Sequence, residues 1–233
     1  MRFREEIFIG KGGKPYTLRS PVAADAAQMI AYLKTTAAET EHGLSYPEEL
    51  DFSVEEEETF INHAATNAGS IMITVFDGDN LVGNASLGCV FDKKKTRHRA
   101  EFGIAILKSD WGQGLGQKLV SELIAAAKQA GYEQLELEVV ATNTAAISLY
   151  KKLGFEVYGE RPNSFKLKNG AYSNELLMVL ALKKFQIPLS TIKTFQESPT
   201  TLAHTKKDCY NNLSSRRTKA KNYVYTRTLH VRA

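Results

Sequence analysis

Glu101-Phe-Gly-Ile-Ala-Ile-Leu-Lys-Ser-Asp-Trp-Gly-Gln-Gly-Leu-Gly-Gln-Lys-Leu119 is the stretch on which the reading of this chain turns. Its first third, continuing from Ala100 to Leu107, is an apolar run of strand length. Gly112, Gly114 and Gly116 follow, and Leu115, Leu119, Leu123, Ile124 and Ala127 then fall on one face of a helix that Gly131 ends. A strand that runs through a glycine-rich turn into a helix is an anion site. The first-turn amides have no acceptor of their own, and glycine lets a phosphate approach them closely. The glycines are spaced by two, so the dinucleotide fingerprint G-x-G-x-x-G is not met, and the stretch lies mid-chain instead of opening a βαβ unit. No Gly-Lys-Ser/Thr occurs, which excludes a mononucleotide P-loop. A tight strand-to-helix turn without a ligand is the alternative.

Before this stretch, Pro15 to Arg19 reads as a first strand and Asp25 to Leu33 as a helix with Ala26, Met29, Ile30 and Leu33 on one face. Ser53 and Glu56 form a capping box for a helix from Val54 to Ala65. Glu55 to Glu58 suit the positive end of that helix. The runs 70–76 and 81–87 flank Asp77-Gly78-Asp79-Asn80 as a β-hairpin, and the basic connection Lys93 to Arg99 reads as a solvated loop. After it, Leu135, Leu137 and Val139 alternate with Glu136 and Glu138 as a strand. Asn143 caps a short helix over Thr144 to Leu153, ended by Gly154. The last part reads as Phe155 to Gly159, a loop, Phe165 to Lys168, the Asn169-Gly170 turn, and Tyr172 to Leu182. The result is an α+β fold with helices inserted between the strands of one sheet.

The 233 residues carry 30 Lys plus Arg against 26 Asp plus Glu, a formal +4, but the charge is uneven. Residues 185–233 hold 9 basic and 2 acidic side chains, or +7, which leaves 21 and 24, or −3, in 1–184. The expected organisation is therefore a folded domain over 1–184 and a basic, disordered tail over 185–233 without apolar periodicity. Such a tail meets phosphates through its charge, yet a solvated appendage or an out-of-frame extension describes it better, and nucleic acid is not the expected partner. No apolar run approaches the roughly 18 residues that span a bilayer, and Met1 to Ile7 lacks the apolar core of a signal peptide. Cys89 and Cys209 have neither a disulfide framework nor metal-ligand spacing, so a reducing cytoplasm is the expected location.

Taken together, 101–119 and the later Asn143-Thr-Ala-Ala-Ile-Ser-Leu-Tyr-Lys-Lys-Leu-Gly-Phe155 resemble the GNAT superfamily of acyl-CoA-dependent N-acetyltransferases. The resemblance covers roughly 14–184 and is concentrated in 100–156. It implies a mixed, mostly antiparallel central sheet flanked by helices, with acetyl-CoA as co-substrate and no metal. It further implies that the cofactor pyrophosphate lies on the amides of Gly112, Gln113, Gly114, Leu115, Gly116 and Gln117, and that the backbone of Ile104 and Ile106 meets the pantetheine arm. The family pattern is Gln/Arg-x-x-Gly-x-Gly/Ala. Gly114 and Gly116 match it, whereas Trp111 stands at the Gln/Arg position and removes one side-chain contact.

Asn143 corresponds to the family asparagine that contacts the cofactor, with a plain helix cap as the alternative. Tyr150 lies where the family places a tyrosine near the thioester sulfur, implying a general acid for the departing thiolate; a core tyrosine is the alternative. The attacking amine is an ammonium at neutral pH and must lose a proton. Glu101 is the expected base, since related enzymes often use a strand carboxylate, against a surface carboxylate beside Arg99. The acceptor site is expected between the segment Ala37 to Leu50 and the hairpin around Arg161 to Tyr172, where His42, Tyr46 and Glu49 either line the pocket or serve loop packing. The expected acceptor is the primary amine of a small molecule, and a homodimer is a possible assembly. A protein N-terminal or lysine acetyltransferase, which needs an open groove, and a non-catalytic acyl-CoA sensor remain the alternatives.

Overall fold

The computed structural model describes residues 1–183. The expected basic tail, 185–233, and Lys184 lie outside the described residues. Eight strands form one sheet in the order β1-β2-β3-β4-β5-β6-β8-β7: β1 Glu6–Ile9, β2 Pro15–Arg19, β3 Ile71–Asp77, β4 Asn80–Cys89, β5 Arg99–Ile106, β6 Gln134–Val140, β7 Glu156–Lys166 and β8 Tyr172–Ala181. All neighbours are antiparallel except β5 and β6. Four α-helices cover the faces: α1 Ala26–Glu39, α2 Val54–Thr66, α3 Leu115–Gln129 and α4 Thr144–Lys152.

Local chemistry explains the helices. The Ser53 hydroxyl accepts from the Glu56 N–H at 3.2 Å while the Glu56 carboxylate accepts from the Ser53 N–H at 2.9 Å, closing the expected capping box of α2. Asn143 Oδ1 accepts from the Ala146 N–H at 3.2 Å and caps α4. Leu115, Leu119, Val120, Leu123, Ala126 and Ala127 bury one face of α3 on β-strand residues such as Leu87, Phe102, Ile104 and Leu135. On the opposite face of the sheet, Met29, Tyr32 and Leu33 of α1 pack on Met72, Phe76, Leu81 and Ala105. Helices on both faces account for β3, whose residues Ile71 to Phe76 are all buried despite alternating in direction.

Two elements differ from the sequence expectation. β1 precedes the strand at 15–19 and, among the described residues, pairs with it alone; its Ile7 and Ile9 are 62% and 58% exposed, so no buried alternation marks it. β7 is one strand where two pieces and a loop were expected. Its register shifts between Val157 and Gly159 and again between Arg161 and Phe165. The second shift accommodates Pro162, which has no N–H for the ladder, and leaves Asn163 in the left-handed region at φ 52°.

Candidate active site

β5 and β6 pair only from Arg99 to Glu101, opposite Gln134 to Glu136. Among the described residues, beyond that point β6 continues with β8 alone and β5 with β4 alone, so the two parallel strands part and a gap opens between them. The Leu107 N–H donates to Val82 O at 2.8 Å, which fixes the phase of the β4–β5 ladder. In that phase Ile104 and Ile106 turn their backbone N–H and C=O groups away from β4 and into the gap. An extended chain of amides entering there would find a strand edge that no neighbouring strand occupies among the described residues.

At the mouth of the gap the chain enters the glycine loop. Gly112 and Gly114 take φ of 77° and 91°, a conformation that side-chain-bearing residues rarely adopt. Gly114 is the N-cap of α3. Gly116 serves a different end: a Cβ there would lie 3.1 Å from Leu149 Cδ2, so the missing side chain lets the first turn of α3 approach α4. The loop is braced from behind by Asp110, which is 4% exposed and accepts from Lys14 Nζ at 3.0 Å, Tyr16 Oη at 2.9 Å and Ser109 Oγ at 2.6 Å. Burial works against ionisation of the Asp110 carboxyl, but these three donors outweigh it and hold its pKa below the ordinary value.

Trp111 and Gln113 both turn out to be engaged with protein. The Trp111 indole N–H donates to Ile106 O at 2.7 Å, satisfying one of the groups that face the gap. Gln113 points to the β1–β2 turn, where its Oε1 accepts from the Gly12 N–H at 3.1 Å and its backbone O from the Lys11 N–H at 3.1 Å. Lys11 is thereby held at the cleft, a cation that the sequence reading missed.

These parts surround one cleft of 540 Å³. Ile104, Ile106, Trp111, Gly112, Gly114, Leu115, Gly116, Gln117 and Asn143 all line it, and Thr36, Glu39, Thr40 and His42 close it from the end of α1. The unpaired edge, the two glycines in left-handed geometry, the free amides of the α3 N-terminus and Lys11 fit a phosphorylated thioester cofactor with an amide-containing arm. Among the described residues no group of His, Cys, Asp and Glu is arranged to hold a metal ion.

Tyr150 stands behind the cleft wall, one residue past Leu149, which lines it. Its ring is 3% exposed and meets Phe102 edge-on at 5.8 Å and Phe155 at 5.9 Å. Burial alone raises its pKa well above 10, so the phenol keeps its proton at neutral pH. Glu101 does not join the cleft. It sits where β5 and β6 still pair, with Gly88 and Glu136 as its Cα partners. Gly88, with Ser86, lines a separate 320 Å³ cavity beneath α2. The strand register thus places the expected base away from the residues that line this cleft.

The two segments expected to shape the acceptor site do meet. Tyr46 Oη accepts from the Lys168 N–H at 3.0 Å, Lys168 Nζ lies 4.2 Å from the Tyr46 ring centroid, and it pairs with Glu48 at 2.5 Å. The segment 40–50 therefore reaches from the cleft to the β7–β8 turn. Of the residues expected there, His42 lines the cleft, whereas Glu49 accepts from the Tyr46 N–H at 2.7 Å and serves the loop itself.

A sequence profile described as the Acetyltransferase (GNAT) family matches residues 35–155. The L-amino acid N-acetyltransferase AaaT of Escherichia coli (strain K12) is 32% identical over 109 residues, 46% of this chain and 65% of that protein, so the chain spans less than two thirds of this relative. The [ribosomal protein bS18]-alanine N-acetyltransferase of Haemophilus influenzae is 31% identical over 110 residues, 47% of this chain and 71% of that one. Among solved structures, a GNAT-family acetyltransferase from Streptococcus pneumoniae superposes with a TM-score of 0.68 at 28% identity, covering 71% of this chain and 99% of the other. The fold is also that of yncA from Salmonella typhimurium, a putative acetyltransferase solved with its cofactor acetyl-CoA, at TM-score 0.65 and 22% identity over 74% of this chain and 97% of that one. With the profile covering more than half of its length, and with the parted strands and glycine loop described above, the chain belongs to the GNAT family of acetyl-CoA-dependent N-acetyltransferases.

Proposed function

We propose that this protein transfers the acetyl group of acetyl-CoA to the primary amine of a small molecule, by direct attack in a ternary complex in the cytoplasm. The observation that carries this reading is the continuity of one cleft from the glycine loop to the unpaired edge of β5. The α3 amides and Lys11 hold the phosphates, and Ile104 holds the amide arm. Asn143 stays committed to its cap while forming part of the wall. Acetyl-CoA supplies an activated acetyl thioester. Tyr150, neutral in its buried site, gives a proton to the departing sulfur.

The two curated relatives described above are named for an L-amino acid and for a ribosomal-protein alanine, and both names point to an α-amino group as acceptor. The closure of segment 40–50 onto Lys168 favours the free amino acid over a polypeptide, which needs an open exit from the site. Thiol release from acetyl-CoA, measured across free L-amino acids, polyamines and short peptides, tests the reading. Turnover of a free amino acid above its peptide counterpart is expected. Turnover of peptides alone establishes the protein-acetylating alternative, and acetyl-CoA binding without turnover of any amine establishes the sensor.

A further inference from the structure

The imidazole of His42 is a cleft side chain able to take a proton from the acceptor. Among the described residues its Nδ1 is buried and has no hydrogen-bond partner, and the residue lines the 540 Å³ cleft together with Ile104 and Ile106 of β5. A buried nitrogen that lacks a donor is costly unless something else brings one, and an ammonium brings three. The segment that carries His42 is pinned on both sides. Before it, Glu39 at the end of α1 accepts from the Lys108 N–H at 2.8 Å. After it, Tyr46 and Glu48 fasten to Lys168. The segment bearing His42 is thus held at the cleft by contacts that do not involve its own ring.

The other titratable groups of the cleft are spoken for or unsuited. Asp110 is held ionised by Lys14, Tyr16 and Ser109, Glu39 is bound to the Lys108 amide, and Lys11 is a cation. We propose that His42 is a catalytic residue, the general base that deprotonates the acceptor ammonium of an amino-acid substrate. This rests on the acetyltransferase reading above and goes beyond it, since the strand carboxylate Glu101 stands outside the cleft.

The proton balance closes. The acceptor ammonium gives one proton to Nδ1. The amine lone pair forms the C–N bond to the acetyl carbonyl carbon, and the C–S bond breaks. The sulfur leaves with the Tyr150 proton, and the second proton shed by nitrogen as the amide forms restores the phenol. The imidazolium returns its proton to water. Burial pushes the His42 pKa below 6.5, against the pull of neighbouring Glu41, so the ring is neutral and able to accept at pH 7. Of the charged groups around it, Glu41 favours the protonated ring, while Lys11 and Glu39 share the lining of the cleft and Lys168 is paired with Glu48.

The test is the pH profile of kcat/KM for wild type, His42→Gln and Glu101→Gln, using acetyl-CoA and whichever free L-amino acid is turned over best. With the base in place the rate is level above the His42 pKa and falls below it. In His42→Gln the rate at pH 7 is expected to drop about 100-fold and then to climb about tenfold per pH unit, tracking the free amine, up to the acceptor's own pKa. Acetyl-CoA binding, followed by titration of the single tryptophan's fluorescence, is retained. An unaltered profile in His42→Gln, loss of acetyl-CoA binding in place of the pH change, or transfer of the whole effect to Glu101→Gln overturns this inference alone. A wild-type protein that acetylates none of the amino acids overturns the proposed acceptor class and the inference together.

Discussion

The Trp111 indole donates to the carbonyl of Ile106, five residues back, at 2.7 Å, and so ties the glycine loop to the end of the strand that borders the gap. Trp111 is the only tryptophan of the chain and is 48% exposed within the cleft. Acetyl-CoA binding should therefore shift or quench the intrinsic fluorescence, giving a direct titration. Trp111→Phe keeps the ring and loses the donor. A net hydrogen bond of about 1 kcal/mol corresponds to an acetyl-CoA Kd about fivefold weaker, measurable by calorimetry.

The two kinds of glycine in the loop should fail differently. Gly114→Ala forces alanine into the left-handed region at the cost of about 1–2 kcal/mol, while its Cβ meets only Phe8 Cζ at 3.6 Å, an ordinary contact. Gly116→Ala has no such backbone strain but presses on Leu149 at 3.1 Å. The first variant is expected to lower Tm and acetyl-CoA affinity together. In the second the α3–α4 approach is disturbed, and the Leu149 methyl resonances should shift in NMR spectra even without cofactor.

Tyr150 predicts both a rate and a stability effect. Tyr150→Phe preserves the contacts with Phe102 and Phe155, so Tm at pH 7 should change little while kcat falls. Unchanged kcat with intact folding would remove the acid role.

The alkaline limb of stability has a definite sign. Burial raises the pKa of Tyr150 and of Tyr32 above 10, so between pH 10 and the folded-state values the unfolded chain has lost protons that the folded one keeps. Stability is then fully present below pH 10 and falls as pH rises, by about 1.4 kcal/mol per pH unit for each phenol. Tyr150→Phe should remove one share of that slope in denaturant titrations at pH 10 and above.

Lys168 illustrates an interaction that orders without stabilising much. Its ammonium and the Glu48 carboxylate are 58% and 60% exposed, so Lys168→Ala should leave global stability almost unchanged. Hydrogen exchange of amides 40–50 should nevertheless quicken, because this pair and the stacked Tyr46 ring hold the segment against the β7–β8 turn.

What the sequence disclosed was local. The Ser53–Glu56 box, the Asn143 cap and the glycine loop were readable because each is settled within a few residues by backbone geometry and hydrogen-bonding capacity. What depends on distant partners was not. Tyr46 and Lys168 are 122 residues apart in sequence, and nothing in either segment specifies the other. β1 escaped because an edge strand with outward-facing Ile7 and Ile9 buries too little to leave a pattern. Glu101 was placed correctly on its strand, but the residue at which β5 parts from β6 is set by the sheet as a whole.

That parting leaves the protein with a sheet it does not complete by itself. From Phe102 to Ile106 one flank of β5 lacks a neighbouring strand among the described residues. An open flank of this kind is also a template on which a foreign extended chain can align. On the proposed reading, acetyl-CoA seated there would act as a missing strand and stabilise the fold by RT ln(1 + [L]/Kd). Shelf life, resistance to proteolysis and freedom from aggregation should therefore all follow the supply of the acetyl donor, so that the enzyme is sturdiest when it is ready to work.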